Sequence, residues 1–454
     1  MDNNLTPYSS KDLKLLLTYT ENSFKFGDSY LAETEEFFFW IWNRSRLGYD
    51  RVPSILGRSH SFRKQIKNRL KRIIWSALGP LPELTISTVG KNFELTSISW
   101  GSDEEVPRII VGSDRYLGHL DTRSNLHKIY IMPAGSKKYP QLLKMGISVI
   151  VLKYSVVNIL KNVIRLACST VSSMQKDRSP IPFYCLDLHQ GIEIQKKFKK
   201  YLIEKSVRQI VMPYEAQPFQ HSLIRIAKES GVAKVWGYVH SSVHAFPSFM
   251  IKRPNAPDLL ITHGIETAEV LHQYCGWDSA HVLFEPTFRF KPKPSDHFEN
   301  RIFLPYSFEN MEIILSAVSS LFLEVGTPTK EIQIRIHPDF LNDERHKLLA
   351  QKILETLVKP TKKKYPHESI SVFINTTSSI LESLENGVEN VFHISENPAT
   401  DFYTSDIWSA IESKSVTSYV KRYSLLRRGA FIDYQRENES KSISEYIHEN
   451  WDKI

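Results

Sequence analysis

At 454 residues the chain is too long for one ordinary hydrophobic core, and about 150 residues per domain predicts two or three units. Its composition, 41% hydrophobic and 24% charged, excludes an intrinsically disordered chain. The formal net charge of +8 favours anionic partners, namely phosphates, anionic lipid or nucleic acid. Because no nucleic-acid-binding motif accompanies the charge, no nucleic-acid partner is expected.

Residues 1–125 are the least regular part of the chain and are interpreted as a helical and mixed extension. An aromatic run at 37–42 precedes a basic amphipathic helix near 62–78, and the stretch 83–100 has the composition of β structure. The aromatic and basic segments either pack against the main body or contact an anionic membrane surface. The N-terminus has no long apolar segment of the signal-peptide kind, so a cytoplasmic location is expected, peripheral to the inner face of the membrane if the contact is made.

From about residue 128, short apolar runs alternate with helical stretches of ten or more residues. The predicted strands are "KIYIMP", "SVIVLKY", "PFYCLDL", "RQIVMPY", "AKVWGYV", "PDLLITH", "RIFLPY", "EIQIRIHP", "SVFIN" and "NVFHIS". This alternation is typical of a parallel α/β sheet. The proline-rich segment 289–295 interrupts it, so we predict two doubly wound, Rossmann-like domains, 126–288 and 296–454, that face each other across a cleft.

Polar side chains end two predicted strands of the second domain. One strand ends in His337 and Pro338, and another in Thr377, Ser378 and Ser379, which precede a short helix. Hydroxyls and backbone N–H groups at a helix start favour an anion, and histidine can donate a proton or a hydrogen bond to a phosphate oxygen. If the two strands are adjacent, these residues form one phosphate site.

The first domain offers acidic and basic groups at its own strand ends. Glu215 follows an apolar strand and is the candidate general base. His240, Ser241 and His244 follow the next predicted strand as acceptor-side candidates, while Asp187 and His189 are secondary ones. No nucleotide-hydrolysis loop, serine-hydrolase elbow or zinc-protease motif occurs, and no metal site or cofactor is expected.

The order of "YEAQPFQHSLIRIAKESGVAKVWGYVHSS", "APDLLITHGIETAEVLHQYCGW", "IRIHP" and "NTTSSILESLENGV" resembles bacterial surface-carbohydrate glycosyltransferases of the two-Rossmann GT-B type. The resemblance covers roughly residues 128–400 and is closest to enzymes that use CMP-activated sugars, of the sialyl- and Kdo-transferase kind. It implies that His337 with Pro338, and Ser378 with Ser379, hold the CMP phosphate. It also implies an N-terminal-domain acid as the base, for which Glu215 is the best match. Such proteins often have His-Gly where this chain has His240 and Ser241.

The resemblance implies an inverting, metal-independent transfer of a Kdo-like or sialic-acid-like sugar from CMP to a surface-glycan or lipid-linked glycan acceptor. Two alternatives stay open at this point. A GT-B transferase could use a nucleoside diphosphate sugar or a CDP-polyol, and a non-catalytic scaffold of the same shape could recruit a partner at the membrane.

Overall fold

The computed structural model describes residues 6–26, 81–87, 93–120, 126–133, 135–153, 192–232, 234–326, 332–357, 369–434 and 441–450. The aromatic run 37–42, the basic segment 62–78, and the candidates Asp187 and His189 lie outside these residues. The predictions made for them therefore remain predictions.

The first sheet has the strand order β1-β6-β5-β2-β7-β8-β9-β10 among the described residues. Its strands are β1 (Leu81–Thr85), β2 (Leu95–Trp100), β5 (Leu126–Met132), β6 (Ser148–Lys153), β7 (Gln209–Pro213), β8 (Lys234–Tyr238), β9 (Leu259–Thr262) and β10 (Val282–Phe284). Only the pairing of β1 with β6 is antiparallel. A separate small hairpin pairs β3 (Ser113–Asp114) with β4 (Gly118–His119).

Helices in the first half of the chain are α1 (Ser10–Phe26), α2 (Val106–Ile110), α3 (Tyr139–Lys144), α4 (Ile192–Glu204), α5 (Pro218–Glu229) and α6 (Ile265–Tyr274). Helix α5 follows β7 directly, and a reciprocal capping box between Gln217 and Gln220 fixes its first turn. The turn between β7 and α5 is therefore short and well defined, and it carries Glu215.

The second sheet has the order β12-β11-β13-β14-β16-β15, with the first four strands parallel. Its strands are β11 (Arg301–Phe303), β12 (Gln333–Arg335), β13 (Ser371–Ile374), β14 (Val391–Ile394), β15 (Ile411–Thr417) and β16 (Val420–Leu425). The helices of this half are α7 (Met311–Val325), α8 (Glu344–Leu357), α9 (Ser379–Glu385), α10 (Pro398–Asp401) and α11 (Ile443–Glu449). The predicted mixed α/β fold with two parallel-rich sheets is confirmed.

Two parts of the chain do not follow the domain boundaries expected from the sequence. Strands β1 and β2 come from the supposed extension 1–125, yet β2 lies in the middle of the first sheet, between β5 and β7. At the other end, α11 returns to the first domain, where Ile443 and Ile447 are fully buried in one cluster with Trp236 and Tyr238. Both segments bury apolar side chains that would otherwise be exposed. This explains why β1 and β2 pair within the first sheet and why α11 packs against it.

Buried hydrogen bonds connect the first half of the chain, which forms the first sheet, to the second half, which forms the second sheet. The Tyr403 hydroxyl donates to the carbonyl of Val243 over 3.0 Å, and Nε1 of Trp408 donates to the carbonyl of Ala245 over 2.7 Å. All four residues are at most 3% exposed. The segment that follows β8 is therefore fixed against the second half of the chain.

A second contact involves the start of α6. The buried carboxylate of Glu266 accepts hydrogen bonds from the backbone N–H of Ala410 over 3.0 Å and from the Ser409 hydroxyl over 3.2 Å. Beside it, a Cβ at Gly264 would collide with the carbonyl groups of Ala430 and Phe431. Glycine is therefore required by this close approach of two backbones.

Replacing Ile447 with alanine should destabilise the first domain, although α11 lies far from it in sequence. A buried Ile→Ala change removes apolar contacts and leaves a cavity, with a cost of about 2–5 kcal/mol. Urea unfolding followed by tryptophan fluorescence would measure the cost. His448→Ala, an exposed change on the same helix, should stay within about 0.5 kcal/mol of the wild type. Equal effects of the two changes would show that α11 is not part of this core.

Candidate functional site

Polar residues collect where the parallel strands of the first sheet end. β2, β7 and β8 are consecutive neighbours, so the segments after them meet at one edge. Those segments carry Glu104 and Glu105 after β2, Glu215 after β7, and the segment 240–244 after β8. The predicted residues of the first domain are thus brought together by adjacent strands.

Glu215 is held by two side-chain hydrogen bonds. Nε2 of His240 lies 3.2 Å from its Oε1, and the Gln217 side chain donates to its Oε2 over 2.7 Å. Burial raises the pKa of Glu215, but the hydrogen bond and charge of His240, the hydrogen bond from Gln217 and the charge of His244 together lower it below its usual value. Glu215 is therefore an ionised acceptor at neutral pH.

The ring of His240 is buried between aromatic side chains. Its centroid lies 4.9 Å from that of Tyr116, edge to face, and 6.1 Å from that of Trp100. With Nε2 facing Glu215, Nδ1 is buried and has no hydrogen-bond partner among the described residues. His240 is thus positioned to orient Glu215, and the acceptor contact expected of it remains a prediction.

The two other acceptor-side candidates lie further along the same segment. Ser241 is half-buried directly after His240. His244 is also half-buried and packs edge to face against Phe249, with the ring centroids 5.1 Å apart. Since the carbonyls of Val243 and Ala245 are bonded to the second half of the chain, this segment connects the acceptor-side candidates to the other domain.

The Thr and Ser residues of the second sheet lie in a short turn after β13. The turn begins at Asn375, whose φ of +55° places it in the left-handed region that asparagine tolerates. Its side-chain amide donates to the Ser307 carbonyl over 3.2 Å and to Glu396 over 2.7 Å, which fixes it to the segments after β11 and β14. The hydroxyls of Ser378 and Ser379 are half-buried and donate to none of the residues in the described part of the chain.

His337 follows β12, but β12 and β13 are not neighbours, because β11 lies between them. Two strand spacings of about 4.8 Å separate the strand ends by roughly 10 Å. Tyr306, after β11, occupies the intervening position, with its ring edge to face against His337 at 5.3 Å. The adjacency on which the single phosphate site depended is therefore wrong, and an aromatic ring stands between its two halves.

A cavity of about 1,040 Å³ lies between the two sheets. The first domain and the segment after β10 contribute most of its wall, including Trp100, Glu105 and Arg289, and the second half of the chain contributes Pro338 and Tyr434. Neither Glu215 nor His240 forms part of the wall, but the His240 ring lies 6.1 Å from that of Trp100, which does. Pro338 is thus the predicted donor-side residue that forms part of the wall.

Several residues at the cleft were missed by the sequence analysis. Glu104, Glu105 and Arg289 line the cavity, and Tyr306 is 53% exposed beside His337. The signal for Glu104 and Glu105 was available, since two acids follow a β-rich segment, but that segment was assigned to the extension. A His-Gly pair is also present one strand further on, at His263 and Gly264, where burial lowers the pKa of His263 to about 3.

No cluster of three or more His, Cys, Asp or Glu side chains suited to a metal ion occurs among the residues that the structure describes. Within the same residues, none of the helices combines the length and apolar character needed to cross a membrane.

Comparison with known proteins finds no matching family model and no matching curated protein. Among solved structures, a glycosyltransferase from Rickettsia africae ESF-5 is 14% identical, over 68% of this chain and 86% of that one, with a TM-score of 0.31. An E. coli structure described as trehalose-6-phosphate bound with UDP-2-fluoro glucose is 8% identical, over 67% of this chain and 85% of that one, with a TM-score of 0.33.

Replacing His240 with phenylalanine should raise the pKa of Glu215. Burial, which raises it, would then be opposed only by Gln217 and His244. The lowered pKa also means that Glu215 stabilises the fold at neutral pH and that this stabilisation is lost as the pH falls through its folded-state pKa. The ¹³Cδ shift of Glu215 against pH would measure the change. His281→Phe, at an exposed histidine, is the control; an unchanged titration in His240→Phe would contradict the assigned hydrogen bond.

Proposed function

We propose that this protein is an inverting glycosyltransferase of the GT-B type that transfers a sugar from a CMP-activated donor to a glycan or lipid-linked glycan acceptor. The donor sugar would be of the Kdo or sialic-acid kind. The proposal keeps the cytoplasmic location expected from the sequence, with the basic segment 62–78 as the contact to an anionic membrane.

One observation carries the proposal: an ionised, histidine-oriented carboxylate and a set of hydroxyl and imidazole donors stand at the strand ends of two different α/β sheets. Glu215 belongs to the first sheet, and His337, Ser378 and Ser379 to the second. A cavity with walls from both domains lies between the sheets. A base and a leaving-group site on opposite sides of a cleft are what a displacement at an anomeric carbon requires.

In the proposed reaction the acceptor hydroxyl gives its proton to the Glu215 carboxylate as its oxygen attacks the anomeric carbon. The bond from that carbon to the CMP phosphate oxygen breaks, and the electron pair stays on the phosphate. His337 donates a proton or a hydrogen bond to this oxygen, while the hydroxyls of Ser378 and Ser379, on the other side of β11, bind a separate part of the nucleotide. Attack opposite the leaving group inverts the anomeric configuration.

Tyr306 extends the proposed donor site. It follows β11, lies edge to face against His337 at 5.3 Å and is 53% exposed, so its ring is available to the nucleotide.

Because the leaving group is a single phosphate ester, the imidazole of His337 can stabilise its charge, so the proposed transfer does not require a divalent cation.

Calorimetric titration with CMP, CDP, UDP and GDP tests the donor class, and CMP is expected to bind most tightly. His337→Ala should weaken nucleotide binding about ten- to a hundredfold, because it removes a hydrogen bond to the charged phosphate. The pair Ser378→Ala with Ser379→Ala should weaken it about tenfold, because it removes hydrogen bonds to an uncharged part of the nucleotide. The exposed pair Ser415→Ala and Ser418→Ala, at the far edge of the sheet, is the matched control.

A preference for a diphosphate would replace the CMP assignment with a nucleoside diphosphate sugar or CDP-polyol donor. If none of the four nucleotides binds, the non-catalytic scaffold is the better interpretation.

Glu215→Gln should lower kcat by about 10²–10⁴-fold while CMP affinity stays within about twofold, since the amide keeps the size of the carboxylate but not its basicity. Release of CMP from a bound CMP-sugar, with a panel of glycan acceptors, would follow the turnover. Glu105→Gln is the informative comparison, because this second carboxylate lines the cavity. A collapse of turnover in Glu105→Gln alone would identify Glu105 as the base instead of Glu215. A loss of CMP binding in Glu215→Gln would contradict the proposal that the first domain supplies the base and the second domain binds the nucleotide.

A further inference from the structure

The wall of the cavity carries more cationic side chains than its acids neutralise. Arg108, Arg115, Arg289, Lys291 and Lys441 line it, together with the acids Glu104, Glu105 and Asp114.

Glu105 pairs with a cation, whereas Asp114 accepts hydrogen bonds on one oxygen and its buried Oδ2 has no hydrogen-bond partner among the described residues. Oδ1 of Asp114 accepts from the Ser99 hydroxyl and from the backbone N–H groups of Tyr116 and Leu117. Arg115 lies 3.6 Å from Glu105. Lys441 is paired with Glu449 at 3.1 Å, outside the cavity wall.

Three cationic side chains of the cavity wall are not accounted for by these ion pairs: Arg108, Arg289 and Lys291. Neither Arg108 nor Lys291 forms an ion pair with a residue in the described part of the chain. Arg289 makes one side-chain hydrogen bond to the described residues, from its NH1 to the His240 carbonyl over 2.6 Å. Its remaining N–H donors therefore have no acceptor there.

The position of Arg289 is fixed by the surrounding aromatic rings. Its guanidinium lies 4.8 Å from the ring centroid of Phe290 and 5.9 Å from that of Tyr116. Gly118, with a φ of +79°, allows the β3–β4 hairpin to approach this segment, because a Cβ there would collide with the Phe288 carbonyl. Burial lowers the pKa of Arg289, and the nearby charge of Arg115 adds to this effect, while the charge of Glu382 opposes it.

Arg289 is also next to the proposed base. Its NH1 bonds to the backbone of His240, and the His240 ring bonds to Glu215. A ligand that binds Arg289 through one group would therefore place the rest of its atoms near Glu215, where the acceptor hydroxyl reacts in the proposed transfer. A planar guanidinium with spare donors fits a carboxylate or a phosphate better than a neutral sugar hydroxyl.

We propose that Arg289, supported by Arg108 and Lys291, forms a subsite for a carboxylate or phosphate group carried by a sugar substrate. This rests on the proposed function and extends it, because it names the side chains that would bind an acidic group on the acceptor or the carboxylate of the proposed donor sugar. The acceptor is the preferred source of the anion, since these cations belong to the first domain and the segment after β10, on the side of Glu215. The carboxylate of an acidic donor sugar is the other source.

Ligand-observed NMR and calorimetry on the full chain can separate the two sources. The acceptor arm compares 3′-sialyllactose with lactose, and glucose 6-phosphate with glucose. The donor arm compares CMP-N-acetylneuraminate with CMP. The wild type should prefer, in at least one arm, the member whose sugar carries a carboxylate or a phosphate (3′-sialyllactose, glucose 6-phosphate or CMP-N-acetylneuraminate), and Arg289→Gln should reduce that preference about ten- to a hundredfold. Arg289→Lys, which keeps the charge but loses the planar fork, should lie between the two.

Arg108→Gln with Lys291→Gln provides a second test that leaves the packed Arg289 in place and should also weaken the preference. Arg208→Gln with Lys199→Gln is the charge-matched control, because both residues are exposed and lie away from the cavity wall. Absence of a preference in both arms, or a preference that survives Arg289→Gln and the double variant alike, would overturn the subsite. CMP binding is measured on the same samples, so a wild type that discriminates acidic sugars but binds no nucleotide would refute the proposed function and leave the subsite standing.

Discussion

The arrangement of the cleft depends on the buried polar contact between the two halves of the chain. Glu266 is 1% exposed, and its carboxylate accepts hydrogen bonds from a backbone N–H and a hydroxyl of the other half. The carbonyls of Val243 and Ala245 accept hydrogen bonds from Tyr403 and Trp408. A buried carboxylate that loses its donors is strongly destabilising, so these contacts favour one relative position of the domains. The same contacts hold the segment after β8, and with it His240, at a fixed distance from the opposite sheet.

The order of the strands in each sheet determines which polar side chains lie next to one another at the cleft. In the first sheet the consecutive order β2, β7, β8 places two acidic segments beside His240. In the second sheet β11 separates the imidazole of His337 from the hydroxyls of Ser378 and Ser379. These polar groups are therefore spread over the ends of three neighbouring strands, and the proposed nucleotide, being extended, would suit that spread better than a single small anion.

The fold was largely predictable, because buried parallel strands are continuous apolar runs and the helices between them are amphipathic. The strands ending near Glu215, His240 and Ser378 were recognised in this way. Strand order was not predictable, since periodicity records burial and not partners, and so the adjacency assumed for His337 failed. Arg289 was missed for a related reason: one arginine in a proline-rich linker is ordinary in sequence, and its importance comes from rings and carbonyls contributed by distant segments.

The return of α11 to the first domain has a consequence for biosynthesis. A chain emerges from the ribosome N-terminus first, and a contiguous domain can complete its core while the rest is being made. Here the cluster around Trp236 and Tyr238 lacks Ile443 and Ile447 until some two hundred residues later in translation. We therefore expect the nascent first domain to leave part of this cluster uncovered during that interval, and to complete its core only when the second domain has also been made. The two domains that form the cleft are thus expected to complete their folding at the same stage of synthesis.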